Sequence, residues 1–75
     1  MAIAFVLLNV DLGEEEEVLD QTRKIEGVRE ARRVYGIYDM IVKIEGDLTE
    51  EVKKIITEKI RQLRGVRSTL TLVSL

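Results

Sequence analysis

The sequence predicts an α+β fold in which four strands and two helices follow the order β-α-β-β-α-β. Three observations lead to this prediction: short apolar runs, two amphipathic segments with acidic starts, and an internal repeat. The repeat consists of DQTRKIEGVR, from Asp20, and EKIRQLRGVR, from Glu58, and both copies end in Gly-Val-Arg. Two βαβ halves in tandem make a ferredoxin-like βαββαβ sandwich, so we expect a four-stranded antiparallel sheet with two helices on one face.

The first half supplies a strand, a helix and a second strand. Residues Ile3 to Val10 are almost all apolar, which is typical of a strand buried on both faces. The acidic run Glu14 to Glu17 suits the positive end of a helix dipole, and Gly27 is placed to end that helix. Val28 to Tyr35 then reads as a strand. Its exposed polar face is expected to carry Arg29 and Arg33.

The second half repeats this order after a hairpin. Asp39 to Glu45 alternates apolar and polar residues, which is the period of a half-buried strand. Asp47 or Thr49 is expected to cap the following helix, and Gly65 to end it. Val66 to Leu75 forms the last strand. The apolar face of the second helix is expected to hold Val52, Ile55, Ile56, Ile60 and Leu63.

The length of 75 residues predicts one domain that spans residues 1–75. A chain this short buries only roughly 60% of the surface that its unfolded form exposes, so a lone monomer would be marginally stable. No Cys is present to form a disulfide. Because the first strand is apolar on both sides, we expect a second copy of the chain to cover the second face of the sheet.

The composition argues against several classes of function. The chain has no His and no Cys, so we predict no enzymatic activity, no catalytic residues, no metal and no cofactor. The net charge of -2 and the scarcity of aromatic residues argue against DNA or RNA binding. The first apolar run is too short to span a membrane, so we expect a soluble, cytoplasmic protein. Abundant charges of both signs are compatible with a thermophile.

The stretch Gly36-Ile37-Tyr38-Asp39 admits two interpretations. In a hairpin connection, Gly36 would supply a positive φ and Asp39 would accept hydrogen bonds from backbone amides in the turn. In a binding site, the same polar residues would lie at the head of a buried strand. The local sequence alone favours the turn, because loops with Gly and Asp are common. Likewise, Ser68 to Thr71 is ordinary strand sequence.

Taken together, VYGIYDMIVKIEGD and KIRQLRGVRSTLTLV resemble the effector-binding domain of Lrp/AsnC-type transcriptional regulators, also called the RAM domain. The resemblance spans essentially the whole chain and is most specific at Gly36–Asp39 and Gly65–Thr69. Full-length members of that family carry an N-terminal helix-turn-helix domain, whereas Met1 here opens almost directly into the first strand. The chain therefore resembles the stand-alone members, and we expect no direct DNA binding.

The resemblance implies that a free amino acid binds between dimers, near the loop between the second and third strands and near the last strand. Asp39 would accept the ammonium group, Gly36 would allow close backbone approach, and threonine hydroxyls would bind either end of the zwitterion. Carried over by position, the candidate ligand-binding residues are Gly36, Ile37, Tyr38 and Asp39 on the loop side, with Thr69 and Thr71 opposite.

The resemblance also implies an assembly and a role. Dimers would assemble into an octamer or decamer, and the chain would act as a regulatory module in transcription or amino-acid metabolism. The alternative is a structural subunit that binds no small molecule. Such a subunit would co-assemble with paralogues of the Lrp/AsnC family that do carry the helix-turn-helix domain.

Overall fold

A computed structural model describes residues 1–75 and has the predicted order of elements. The strands are β1 (Ala2–Val10), β2 (Val28–Arg33), β3 (Met40–Gly46) and β4 (Val66–Val73). The helices are α1 (Glu15–Arg23) and α2 (Thr49–Ile55), and α2 continues into a π-helical turn, Ile56–Ile60. The strands form one antiparallel sheet in the order β2-β3-β1-β4. The predicted ferredoxin-like fold is confirmed.

Strand β1 lies between β3 and β4 and supplies the middle of the core. Every second residue of β1 is buried towards the helices, from Ala2 to Val10. The alternation that the sequence predicts for β3 is also present, because Met40, Val42 and Ile44 are fully buried. Only 15 of the 75 residues are buried, so the core of a single chain is small.

The other face of the sheet is open in a single chain. The prediction that β1 is buried on both faces is therefore wrong for the isolated chain. The physical reason is that the two crossovers place both helices on one side of the sheet. The apolar side chains on this open face are Ile3, Phe5, Leu7, Ile41, Leu70 and Leu72.

A β-bulge near the start of β2 changes the predicted faces of that strand. Arg29 and Arg33 do not share one face. The Arg29 Nε atom lies 3.1 Å from the Glu45 Oε1 atom, on the open side of the sheet. Arg33 instead turns towards α1, where its Nη1 atom lies 3.9 Å from the Glu16 Oε1 atom. The extra residue of a bulge shifts the alternation of the strand, and the apolar pattern does not reveal it.

The N-cap of α2 also differs from the prediction. Neither Asp47 nor Thr49 caps the helix, because Leu48 is the N-cap residue. The Leu48 N–H donates to the Glu51 Oε1 atom at 2.9 Å. The Leu48 side chain has no oxygen that could accept the backbone N–H of Glu51, so only the hydrogen bond to the Glu51 carboxylate is formed.

The second half of the predicted second helix is a π-helical turn. The Arg61 N–H donates to the Ile56 carbonyl at 2.9 Å, five residues back. Val52, Ile56 and Ile60 are buried at a spacing of four residues. In an α-helix this spacing advances by about 40° beyond each full turn, given 3.6 residues per turn. The wider π-helical turn corrects this drift and keeps Ile60 on the core side.

Several element ends also differ from the prediction. β2 ends at Arg33 rather than Tyr35, and β4 ends at Val73 rather than Leu75. Similarly, β3 begins at Met40 rather than Asp39, and α1 ends at Arg23, before Gly27. Strands end where their neighbours no longer offer partners, a property that propensity does not encode. No helix is long and apolar enough to cross a bilayer.

Gly27 and Gly65 occupy equivalent places in the internal repeat. Their φ angles are 99° and 98°. An added Cβ on Gly27 would lie 2.7 Å from the Ile55 Cδ1 atom, and one on Gly65 would lie 3.0 Å from the Val18 Cγ2 atom. Each glycine therefore packs against the helix of the other half. The two glycines of the repeat therefore lie at the contacts between the first and the second βαβ half.

Replacing Gly27 by Ala is expected to lower the free energy of unfolding by about 2–5 kcal/mol, from the left-handed backbone and from overpacking against Ile55. Gly13→Ala is the matched control, because Gly13 has a φ of 91° but no atom within 4 Å of an added Cβ. It is expected to cost only about 1–2 kcal/mol. Urea unfolding at one fixed protein concentration measures both, and equal losses would contradict the role of the Ile55 contact.

Candidate functional site

The loop between β2 and β3 is closed and tied to β1 by backbone hydrogen bonds. The Val34 N–H donates to the Asp39 carbonyl at 2.9 Å, which closes the loop. The Asp39 N–H donates to the Leu8 carbonyl at 2.8 Å. The loop is therefore fixed to the central strand at the end where β1 leaves the sheet.

The carboxylate of Asp39 makes a further bond to β1. Its Oδ2 atom accepts a hydrogen bond from the Val10 N–H at 2.8 Å. The side chain is half-buried, and none of the five ion pairs includes Asp39. The turn interpretation expects Asp39 to accept amides in the turn, whereas the amide that it accepts is that of Val10 on β1, because the sheet order brings β1 beside the loop. The negative charge of Asp39 has no cation beside it within the chain.

The tip of the loop faces solvent. Gly36 has a φ of 153°, and a Cβ added there would meet no atom within 4 Å. The open space around Gly36 leaves its backbone accessible to another molecule. Ile37 is 88% exposed and Tyr35 is fully exposed, whereas Tyr38 is half-buried. Two large apolar side chains therefore project from a loop whose base is rigid.

Thr69 and Thr71 lie on β4, on the far side of β1 from the loop. Thr69 pairs with Leu8, whose carbonyl also accepts the Asp39 N–H. Because β3 and β4 flank β1, the backbones of Asp39 and Thr69 lie about 10 Å apart, at about 4.8 Å per strand. Thr71 pairs with Val6 and lies further from the loop. The structure brings the four loop residues together but leaves both threonines separate from them.

Two polar residues outside the six candidate ligand-binding residues lie at the same end of the sheet. The Asn9 Nδ2 atom donates to the Ser68 Oγ atom at 3.0 Å and links β1 to β4. Asn9 lies between Leu8 and Val10, the two β1 residues that bind Asp39. The sequence signal was one polar residue within an apolar strand, and its partner could not be deduced from one sequence.

A groove of about 860 Å³ lies elsewhere, between the end of α1, the end of β3 and the outer side of α2. None of the six candidate residues lines it or the second well-defined groove beside β2. The groove arises where segments distant in sequence meet, so no local motif predicts it. No group of His, Cys, Asp or Glu side chains could hold a metal ion.

The comparison with family models decides the identity of the domain. Residues 3–75 match the Lrp/AsnC ligand binding domain. The chain belongs to the Lrp/AsnC family. An uncharacterised HTH-type transcriptional regulator from Pyrococcus furiosus is 42% identical over 74 residues, which are 95% of this chain and 49% of the relative. The chain thus spans about half the length of such Lrp/AsnC relatives.

Solved structures give the same fold. The crystal structure of FFRP-DM1 superposes with a TM-score of 0.95, at 39% identity over 100% of both chains. The L-Met complex of the regulator NMB0573 from Neisseria meningitidis has a TM-score of 0.87 over 99% of this chain and 49% of the other. Its identity of 14% shows the shared fold alone.

A different kind of relative shares part of the sequence. Homocitrate synthase from Sulfolobus acidocaldarius is 51% identical over 47 residues, which are 63% of this chain and 10% of the enzyme. The Lrp/AsnC-like segment is therefore a small part of that enzyme. The family match thus identifies an Lrp/AsnC ligand binding domain, and the longer relatives that contain such a domain include HTH-type transcriptional regulators.

Removing the Asp39 carboxylate is expected to destabilise the fold, because the half-buried Val10 N–H would lose its acceptor. Asp39→Ala should lower the free energy of unfolding by about 1–3 kcal/mol. Asp39→Asn retains an acceptor oxygen and should lose less than half of that amount. Denaturant unfolding of both variants at equal concentration measures the difference. Identical stability of Asp39→Ala and wild type would contradict the structural role of this bond.

Proposed function

We propose that this chain is an amino-acid-binding regulatory module that acts in the cytoplasm, as part of an assembly of dimers, and catalyses no reaction. The observation that carries the proposal is Asp39, a half-buried carboxylate fixed to β1 at the base of an exposed loop, without a cation beside it. A charge held in that position is suited to an ammonium group, because restricted water strengthens a charge-assisted hydrogen bond.

The remaining contacts of a zwitterion would come from the loop and from threonine hydroxyls. The open backbone at Gly36 offers amide donors to a carboxylate, while Ile37 and Tyr38 lie beside the amino-acid side chain. Thr69 and Thr71 cannot complete this site within one chain, because β1 separates them from the loop. We therefore place the effector between dimers, where the threonines of one chain approach the loop of another.

The assembly that creates such sites is a ring or disc of dimers with closed symmetry, an octamer or decamer. Within it, each dimer forms through the open faces of two sheets. The exposed Tyr35 and Ile37 support a contact between dimers at the loop, since large apolar side chains at a rigid loop tip favour protein contact.

The similarity to homocitrate synthase bears on what is regulated. A similar segment within homocitrate synthase supports a module that can serve an enzyme as well as a transcription factor. Residues 1–75 contain neither a helix-turn-helix nor a basic stripe, so this domain would not itself bind DNA and would act through other Lrp/AsnC proteins. A salt-sensitive gel shift at submicromolar concentration with a defined promoter would contradict this part of the proposal.

A second candidate function is supported by the same exposed loop tip. Tyr35 and Ile37 could serve protein contact alone, in a structural subunit that co-assembles with helix-turn-helix-bearing paralogues and binds no small molecule. The two functions differ in one measurable respect, the affinity of the homo-oligomer for free amino acids.

Calorimetric titration of the twenty amino acids is expected to identify at least one ligand of the wild-type assembly. Asp39→Asn should then make the binding free energy of that ligand less favourable by about 2–4 kcal/mol, as for the loss of one member of a buried charged pair. The amide oxygen introduced by this substitution still accepts the Val10 N–H, so the loss would reflect charge rather than folding. Glu58→Gln, in the groove away from the site, is a control that should leave the affinity unchanged.

Light scattering on each titrated sample separates loss of the site from loss of the assembly. Unchanged affinity in an intact Asp39→Asn assembly would contradict the role of Asp39. Twenty blank titrations of the intact wild-type assembly would replace amino-acid binding by the interaction-only function.

A further inference from the structure

The groove between the end of α1, the end of β3 and the outer side of α2 lies far from the loop that holds Asp39. Gly46 lines the groove and pairs with Ala2, whereas the Asp39 N–H donates to the Leu8 carbonyl. Ala2 and Leu8 lie about 20 Å apart along β1, at 3.4 Å per residue. The groove is therefore a second concave surface, separate from the candidate ligand-binding residues.

The floor of the groove is apolar. Ile25, Ile55 and Leu63 line it, and all three are half-buried against the core. Gly27 lines the groove without a side chain, and a Cβ added there would lie only 2.7 Å from the Ile55 Cδ1 atom. The floor therefore offers apolar surface to the aliphatic part of another molecule.

The charged residues around this floor have a negative balance. Five carboxylates and three cationic side chains line the groove, which gives it a net charge of -2. The whole chain has 14 acidic and 12 basic residues, so the nine of each sign outside the groove cancel. The net negative charge of the chain is thus located at this groove. The five carboxylates belong to Glu26, Glu45, Asp47, Glu51 and Glu58.

Four of these five carboxylates have no cation of the chain beside them. Glu26, Asp47 and Glu58 are exposed and take part in none of the five ion pairs. Lys24 and Lys59, which also line the groove, are unpaired as well, but the unpaired carboxylates outnumber them two to one. A cationic group that enters the groove would therefore meet carboxylates that no other charge neutralises.

The charge and the shape of the groove together restrict what it can bind. Its negative balance repels nucleic acids, whose phosphates carry the same sign. Small-molecule pockets are predominantly apolar, whereas only three of the fifteen residues that line this groove are hydrophobic. The side of the groove along α2, from Glu51 to Lys59, is about 12 Å long at 1.5 Å per residue. About four residues of an extended chain have the same length.

We propose that this groove binds a short segment, rich in Lys and Arg, of a partner protein. Lys and Arg side chains match both features of the groove, because their aliphatic stems pack on apolar surface while their charged groups bind carboxylates. This goes beyond the proposed function, because it gives the domain a second binding surface for a different class of ligand. A partner bound there leaves the loop at Asp39 free.

The probe for this surface is a capped hexapeptide in which Lys and Leu alternate, titrated by calorimetry into the wild-type assembly. A dissociation constant below about 1 mM is expected, since several exposed ion pairs act together with the burial of aliphatic stems. The matched peptide of alternating Glu and Leu is expected not to bind. Absence of binding by the Lys peptide, or equal binding of both peptides, would overturn the proposal.

Two double variants of equal net charge show whether the peptide binds in the groove. Glu26→Gln with Asp47→Asn removes two carboxylates of the groove, whereas Asp20→Asn with Glu50→Gln removes two outside it. All four side chains are exposed and belong to no ion pair, so both variants are expected to fold. Circular dichroism checks the fold, and the single substitutions replace a double variant that loses it.

The groove variant is expected to bind the Lys peptide roughly three- to ten-fold more weakly than wild type, as for the loss of two exposed ion pairs. The control variant should change the affinity by less than about two-fold, because its carboxylates lie outside the groove. Equal losses in both variants would indicate general attraction between opposite charges and would overturn the proposal. Spermidine that binds as tightly as the peptide would also overturn it, in favour of a small polyamine ligand.

Discussion

The rest of the structure depends on one constraint: 75 residues supply helices for only one face of the sheet. Alternate residues of β1 fill the core, and those between them remain in contact with solvent. Fully burying a Leu or Phe side chain stabilises a fold by roughly 1.5–3 kcal/mol. Covering Phe5, Leu70 and Leu72, each partly exposed, would therefore add on the order of 2–4 kcal/mol per chain. That is a large fraction of the total stability of a domain this small, so the proposed association would contribute substantially to the stability of the fold.

The same strand positions the candidate site. β1 holds the loop through the Leu8 carbonyl and the Val10 amide, and Asn9 between them binds Ser68 on β4. The loop base thus has the rigidity of the sheet, while its tip remains free to contact another molecule. Asp39 consequently has two effects, because it anchors the loop and leaves a negative charge at its base. Substitutions that remove both together cannot separate folding from binding.

The sequence was informative where one segment determines its own structure. The alternation of Met40, Val42 and Ile44 located β3, and the repeated Gly-Val-Arg located the starts of β2 and β4. The sequence did not predict the β2 bulge, the π-helical turn or the Leu48 cap. Each depends on which of several neighbouring backbone hydrogen bonds forms. The apolar pattern predicts the same buried face with or without them.

The candidate site could be predicted only in part from the sequence, for a different reason. Local chemistry indicated that Asp39 binds a backbone amide in the turn, but its donor is Val10 on β1, which the sheet order brings beside the loop. The two threonines were carried over from the family resemblance, and a single chain separates them from the loop. Whether they meet a ligand depends on surfaces of other chains, which the pattern of one sequence does not describe.

If another copy completes the open face, unfolding must depend on protein concentration, because dissociation accompanies it. Urea unfolding of the wild-type chain over a roughly hundred-fold range of concentration is therefore decisive. The midpoint is expected to rise steadily with concentration, and light scattering should show assembled chains below it. A midpoint that stays constant over this range, with a monomer throughout, would contradict the dependence of the fold on a second copy.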